Sequence, residues 1–345
     1  MSWNEGRFSL QSRGPVKFTG PGLARETEAP VTLRSSAPRT PFPAFDRTWA
    51  PGDHVVVELV PDPGRRQFLK SASGSGLLVL CGGVFPLLQT RPARAKELAQ
   101  ADAIARIADV ASNSPVASYN WKNRGKAPAG YIKGMAVTHA RVYYDLGASN
   151  PNAVEMAKAM TDDASKDALK HYEQIFQQAG MDNSKSGPDT LRHLFVLLLG
   201  LGMRESSGRY CEGRDRSAHN TSAETAEAGL FQTSFNARAA SPLLPELFKN
   251  FKANPTPSYL EIFKQGVRSK ESDLENFGEG DGRDFQKLSK DCPFFAAEFA
   301  AIGLRNIRKH WGPINRREAE IKAEADAMFK EVQNLVDQEK LGPLL

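Results

Sequence analysis

Glu205 is the residue in this chain best placed for acid–base chemistry. It follows Leu191–Met203 and Arg204, a stretch that is apolar almost all round, the pattern of a helix buried on every side. A carboxyl at the end of such a helix loses hydration, and the negative end of the helix dipole opposes its charge. Both effects raise its pKa, as a proton donor working near neutral pH requires. Ser206, Ser207 and Gly208 follow, then a polar, turn-rich stretch over 208–226, then Gly229-Leu230-Phe231-Gln232. Three more carboxylates, Asp215, Glu224 and Glu227, lie in or beside that polar stretch. The plainer reading makes Glu205 the first solvated residue after a core helix and Glu227 a solvated loop charge.

Glu205-Ser206 followed by Gly229-Leu230-Phe231-Gln232 resembles the soluble lytic transglycosylases and goose-type lysozymes, over roughly residues 190 to 310. In that superfamily a helix delivers the catalytic Glu in an E-S pair, and a G-L-M-Q-like segment lines the sugar cleft; here Phe231 stands for Met. The resemblance implies a lysozyme-like fold with Glu205 as general acid/base. It also implies that Ser206, Gly229 and Gln232 bind the sugar. The family's distal Y-N-A-G-type segment has only a poor counterpart in Asn276–Gly282. Tyr210 and Phe235 are the candidates to replace its substrate-binding tyrosine. Trp121 and Trp311 offer sugar-stacking faces, although Trp is more often core.

Glycoside cleavage needs a proton for the departing oxygen and a group that manages the oxocarbenium-like transition state. If Glu227, Asp215 or Glu224 sits roughly 6.5–9.5 Å from Glu205, it can activate water and the enzyme is an inverting hydrolase. With no such partner, the resemblance implies a lytic transglycosylase. There the same Glu deprotonates the sugar's C6 hydroxyl and yields a 1,6-anhydro product. Glu227, beside the Gly-Leu-Phe-Gln segment, is the first second carboxylate to test. Chitinase or chitosanase action, and a non-catalytic wall-binding protein that keeps the fold, are the rival readings.

Other enzyme signatures are missing. The chain has no H-E-x-x-H, C-x-x-C, phosphate-cradling Gly loop or G-x-S-x-G. His193, on the apolar helix, reads as a satisfied core residue rather than a ligand. No metal or other cofactor is expected.

The compartment is legible upstream. Arg65-Arg66-Gln67-Phe68-Leu69-Lys70, a moderately apolar run over Gly76–Leu88 and the small-x-small site Ala93-Arg94-Ala95 resemble a twin-arginine signal peptide. The apolar run is too short and Gly-rich for a stable membrane span. Residues 1–64 hold 9 of the 22 prolines and read as a disordered leader, or as the product of a start assigned too far upstream. The expectation is therefore a periplasmic or secreted protein that meets the twin-arginine export machinery and then peptidoglycan glycan strands. Residues 1–95 carry 12 basic and 7 acidic side chains, so the net charge of +5 lies there; the remainder has 33 of each sign. An electroneutral mature chain has no general pull toward nucleic acid or anionic membranes.

Of the three cysteines, Cys81 leaves with the signal, and Cys211 and Cys292 remain. An even pair in an exported protein predicts a disulfide. Closing that loop would add about 4.5 kcal/mol on the chain-entropy model. It would also tie the segment after Glu205 to the helix that begins near Cys292.

The elements that must position Glu205 are helical. Periodicity predicts helices over 97–111, 131–144, 152–160, 163–179, 242–251, 258–267, 293–310 and 316–338, with the core helix opened by Pro188. Little strand signal is present. The expected fold is mainly α. It comprises a helical annex (96–187), a lysozyme-like catalytic domain (188–315) with a polar loop or hairpin over the cleft, and a C-terminal amphipathic helix (316–345).

Overall fold

The computed structural model describes residues 90–216 and 222–342. The expectations for the leader, for Cys81 and for nearly all of the signal segment lie outside the described residues; Ala93–Ala95 falls near the start of the first helix. The described chain is mainly α-helical, with one two-strand hairpin. In order the elements are α1 (Thr90–Asn113), β1 (Asn120–Trp121), β2 (Gly125–Lys126), α2 (Ala129–Gly147), α3 (Pro151–Met156), α4 (Ala168–His171) and α5 (Glu173–Gln178). They continue with α6 (Pro188–Ser206), α7 (Leu243–Ala253), α8 (Leu260–Phe263), α9 (Gly280–Asp291), α10 (Pro293–Asn306), α11 (Gly312–Asn315) and α12 (Ala323–Glu339).

Helix α6 is the axis of the core. Every residue from Thr190 to Met203 is buried, because α2, α3, α10, α11 and α12 all pack against this helix. That encirclement is why its sequence is apolar all round rather than striped. Two of its buried polar residues, Arg192 and His193, have side-chain partners. Arg192 donates to Asp326 of α12 at 2.6 Å and to Gln333 at 3.1 Å, and His193 Nδ1 lies 2.9 Å from Asn183 Oδ1. The described residues fall in one compact unit, and within it α1 and α2, from the expected annex, share this core.

Three helices differ from expectation for identifiable reasons. The run 163–179 is not one helix. Asp167 instead starts a fresh turn, accepting the Leu169 N–H at 3.0 Å as an N-cap does. The same fully buried carboxylate accepts both Nε and Nη2 of Arg305, at 3.0 Å each. The tertiary ion pair thus overrides helical periodicity. The 258–267 run shortens to Leu260–Phe263, preceded by Tyr259 with φ +55°.

The C-terminal helix begins at Ala323, not Arg316. Residues 316–322 form an irregular strap with Arg317 at φ +54°. The strap lies against Gly200 of α6, where a Cβ would meet the Glu320 carbonyl oxygen at 2.4 Å. Glu320 also accepts the Lys122 N–H at 2.8 Å and the Tyr119 hydroxyl at 2.9 Å. These anchors hold the chain away from the helical path.

Three elements escaped sequence reading, one of them the four-residue α11, which falls between the predicted runs 293–310 and 316–338. The β1–β2 hairpin, with Trp121 opposite Gly125, is too short to show an alternation. Helix α9 is masked by the glycines of 278–282. Gly282 is required by contact, since a Cβ there would stand 2.5 Å from the carbonyl of Ala223. Gln286 of α9 completes the seat, donating to Ala223 O at 3.1 Å and to Phe277 O at 3.0 Å. The segment that stood as a poor match to a cleft motif therefore supports the loop leading to Glu227.

The expected disulfide is not formed. Cys211 and Cys292 are both buried, free thiols. Cys292 is instead the residue preceding α10, its Sγ donating to Pro257 O at 3.5 Å. Burial pushes the Cys292 thiol up to about 12, and burial raises Cys211 as well. The chain after Glu205 is pinned by charge and backbone contacts instead. Arg209 pairs with Asp273, and the Gly229 N–H donates to Glu212 O at 2.8 Å.

Candidate active site

Glu205 occupies the last turn of α6. Ser207 ends the helix in the left-handed region, φ +56°, and its N–H bonds to Met203 O while that of Gly208 returns to Gly202 O at 3.1 Å. This αL closure turns the chain away just beyond Glu205 and leaves its side chain half-buried rather than covered. The guanidinium of Arg124, from the hairpin, donates to the Arg204 carbonyl at this end. A cation there complements the helix dipole.

Glu205 lines a cavity of about 390 Å³ with Glu212, Gly213, Arg214, Asp215, Arg216, Glu227 and Gln232. Of the residues proposed from sequence, the fold thus brings together Glu205, Glu227, Asp215 and Gln232. Burial, and then the negative charge of Glu227, push the Glu205 carboxyl up to about 8. Three guanidinium groups, Arg124, Arg316 and Arg204, oppose this rise without cancelling it. A midpoint near 8 favours the protonated form of this carboxyl at pH 7. The electrostatic ranking follows from desolvation, which penalises the ionised form more than partly screened cations favour it.

The remaining candidates take other positions. Glu224 is exposed and pairs with Arg238 at 3.4 Å, outside the group that lines the cavity. Ser206 Oγ donates to Gly202 O at 3.0 Å and accepts the Arg209 N–H at 3.1 Å, so its hydroxyl is engaged in the helix end. Gly229, at φ +76°, has the backbone of Ser289 where a side chain would go. Tyr210 is buried, with Lys264, Glu261 and Asp291 as its charged surroundings. Phe235 packs on Phe248 and Phe285 under the Arg238 guanidinium. Trp121 is buried edge-on to Tyr119, and Trp311 is buried with its indole N–H donating to Phe231 O at 2.8 Å.

Gln232 lines the cavity through a strained turn. It has φ +44°, and its amide donates to Gly229 O at 3.1 Å and Glu212 O at 3.4 Å. The Gln232 backbone is close enough to the buried His310 ring to raise its pKa, against the larger lowering by burial. His310, Arg124, Arg316 and Glu318 belong to this constellation and were not identified from sequence. Arg124 and the 308–318 segment are remote from Glu205 in sequence, and no local pattern marks them. Glu212, half-buried and paired with Arg209 at 3.1 Å, was the more accessible omission, since it lies in the polar stretch already singled out.

A second cavity, of about 550 Å³, is lined by Lys122, Arg204, Arg316, Glu318, Lys322 and neighbouring residues. Arg204 and Glu205 are consecutive, so the two cavities are reached from one turn of α6. Among the described residues no group of three or more His, Cys, Asp or Glu side chains is arranged to hold a metal ion, and no helix is long and apolar enough to cross a membrane. Comparison with known proteins finds no matching family model, curated protein or solved structure.

Proposed function

We propose that this chain is an exported peptidoglycan-cleaving glycosidase of lytic transglycosylase type, with a lysozyme-like fold. It would act in the periplasm or outside the cell, on the β-1,4 bond between N-acetylmuramic acid and N-acetylglucosamine. The observation that carries this reading is the half-buried Glu205 carboxyl, its pKa raised by burial, lining a polar cavity with Gln232. In the first step Glu205 gives its proton to the glycosidic oxygen as the C1–O bond breaks, leaving an oxocarbenium-like sugar. The resulting carboxylate then takes the proton of that sugar's C6 hydroxyl. The C6 oxygen attacks C1, forming the 1,6-anhydro ring and restoring the protonated acid.

Glu227 supports a second reading. It lines the same cavity as Glu205, where it could activate water for hydrolysis. The two readings differ in product: anhydro ends for transglycosylation, reducing ends for hydrolysis. A chitin specialist would release no muropeptides. The test is digestion of purified cell walls by wild type and Glu205→Gln, with mass spectrometry of the products. Wild type should release anhydro-muropeptides and the folded variant none; equal clearing by the variant would sink the assignment of Glu205. Wall binding by both with no product from either favours the non-catalytic reading.

A further inference from the structure

Cations from three separate elements line the second cavity. Lys122 comes from the turn of the β1–β2 hairpin, Arg204 from the last turn of α6, and Arg316, Arg317 and Lys322 from the strap. Two carboxylates, Glu318 and Glu320, stand among these five cations. Both are already engaged by donors of the protein. The Glu318 carboxylate accepts Nε of Arg316 at 2.9 Å and Nη2 at 3.1 Å, and Nη2 of Arg204 at 3.2 Å. Glu320 accepts the Lys122 N–H at 2.8 Å and the Tyr119 hydroxyl at 2.9 Å, and pairs with Lys322 at 2.9 Å.

Positive charge is left over at this cavity. Among the described residues no ion pair takes the Lys122 ammonium or the Arg317 guanidinium, and both residues are exposed. Arg317 uses only its Nε within the protein, on the His171 carbonyl at 3.2 Å. Arg204 is held more firmly: Nη1 donates to Lys122 O at 3.2 Å, while its Nε is buried with no acceptor. A cleft lined mainly by one sign of charge concentrates counter-ions, and guanidinium groups fix planar oxyanions through paired N–H donors. The Glu205 cavity has the opposite balance, with Glu205, Glu212, Asp215 and Glu227 set against Arg214 and Arg216. An anion is therefore favoured in the second cavity and an uncharged sugar in the first.

We propose that the second cavity is a subsite for a carboxylate of the peptide stem that a wall glycan carries. The identity of this ligand rests on the function proposed above; the cationic site does not. Arg204 and Glu205 are consecutive, with Cα atoms about 3.8 Å apart, so one turn of α6 contributes to both cavities. The stem leaves the muramic sugar beside the bond to be cut, and three extended residues span up to about 10 Å. Its carboxylates are the anions tethered closest to that bond. Lys122 and Arg317 supply the uncommitted charge, whereas Arg204 and Arg316, held by Glu318, form a fixed wall. Chitin has no peptide stem, so such a subsite selects peptide-bearing glycan.

The test is binding of the free tripeptide L-Ala-γ-D-Glu-diaminopimelic acid to the full chain, measured by calorimetry beside its carboxamide form and inorganic phosphate. The tripeptide should bind, more weakly as salt rises, and the carboxamide should not. Lys122→Gln and Arg317→Gln should each weaken binding about tenfold, and Arg317→Lys should weaken it less than Arg317→Gln. Absence of binding, equal binding of the carboxamide, or an affinity unmoved in both Gln variants overturns the proposal. Uptake of phosphate without the tripeptide overturns it as well. If the variants do not fold, carbodiimide coupling of the tripeptide to wild type decides. Amide formation concentrated at Lys122 and Lys322 supports the subsite, and labelling spread over exposed lysines overturns it. Tripeptide binding without wall cleavage leaves the carboxylate site standing and sinks the proposed enzymatic function. Wall cleavage without tripeptide binding does the reverse.

Discussion

The indole N–H of Trp311 donates to the carbonyl oxygen of Phe231 at 2.8 Å. The tryptophan that offered a sugar platform from sequence is instead a clamp on the Gly229–Gln232 turn. Trp311→Phe keeps most of the buried ring but leaves the Phe231 carbonyl unpaired. It should cost about 1–3 kcal/mol, measured by urea unfolding. Wall clearing should fall further than stability alone explains, because the turn carrying Gln232 into the cavity loosens.

Glu205 links pH to stability with a definite sign. Its folded pKa is raised to about 8 from 4.5, so the native state holds a proton that the unfolded state has lost. The stability this contributes is complete below about pH 4.5 and is lost as pH rises through 8. Glu298, fully buried and raised to about 8 by burial and then by Asp145, works in the same window. Glu205→Gln should therefore lose less stability than wild type between pH 5 and pH 9, by on the order of 2–4 kcal/mol. Parallel stability curves for the two proteins would show that Glu205 is not protonated in the native state at neutral pH.

Removing the second carboxylate separates two reactions. If Glu227 only raises the Glu205 pKa, Glu227→Gln should still make anhydro products at pH 5 and lose activity at a lower alkaline pH than wild type. If Glu227 activates water, the same change should cost about 10²–10⁴-fold at every pH. The pH profile of product release, with mass spectrometry, distinguishes the two.

The cysteines should behave as buried thiols. In native protein without reductant, iodoacetamide should leave Cys211 and Cys292 unmodified, and in denaturant it should label both. Reductant should leave the unfolding midpoint unchanged. A reductant-sensitive midpoint would show a bridge after all, with a loss approaching about 4.5 kcal/mol.

Much of this molecule is legible in the sequence because some of its causes are local. The all-round apolar run of Leu191–Met203 marks α6 as the buried axis, and Pro188 marks its start. Glu205 stands out for the same reason: a carboxyl at the end of a buried helix is unusual from its immediate neighbours alone. Glu227 and Asp215 follow from their place in or beside one short polar stretch, which chain connectivity keeps near Glu205, whereas Gln232 follows only from the resemblance of Gly229-Leu230-Phe231-Gln232.

Only the tertiary structure decides what surrounds the acid. Arg124, Arg316 and Glu318 come from segments far along the chain, and whether they meet depends on contacts such as the strap on Gly200. The same reason accounts for the misplaced helix start at 316, the break at Asp167 and the unbridged cysteines. In each case a long-range partner (Gly200, Arg305, or the separate packing of each thiol) outweighs the local pattern. Sequence by itself determined the helix and its acid, whereas the charges that set the strength of that acid were decided by folding, since electrostatic interaction depends on distance in space rather than along the chain.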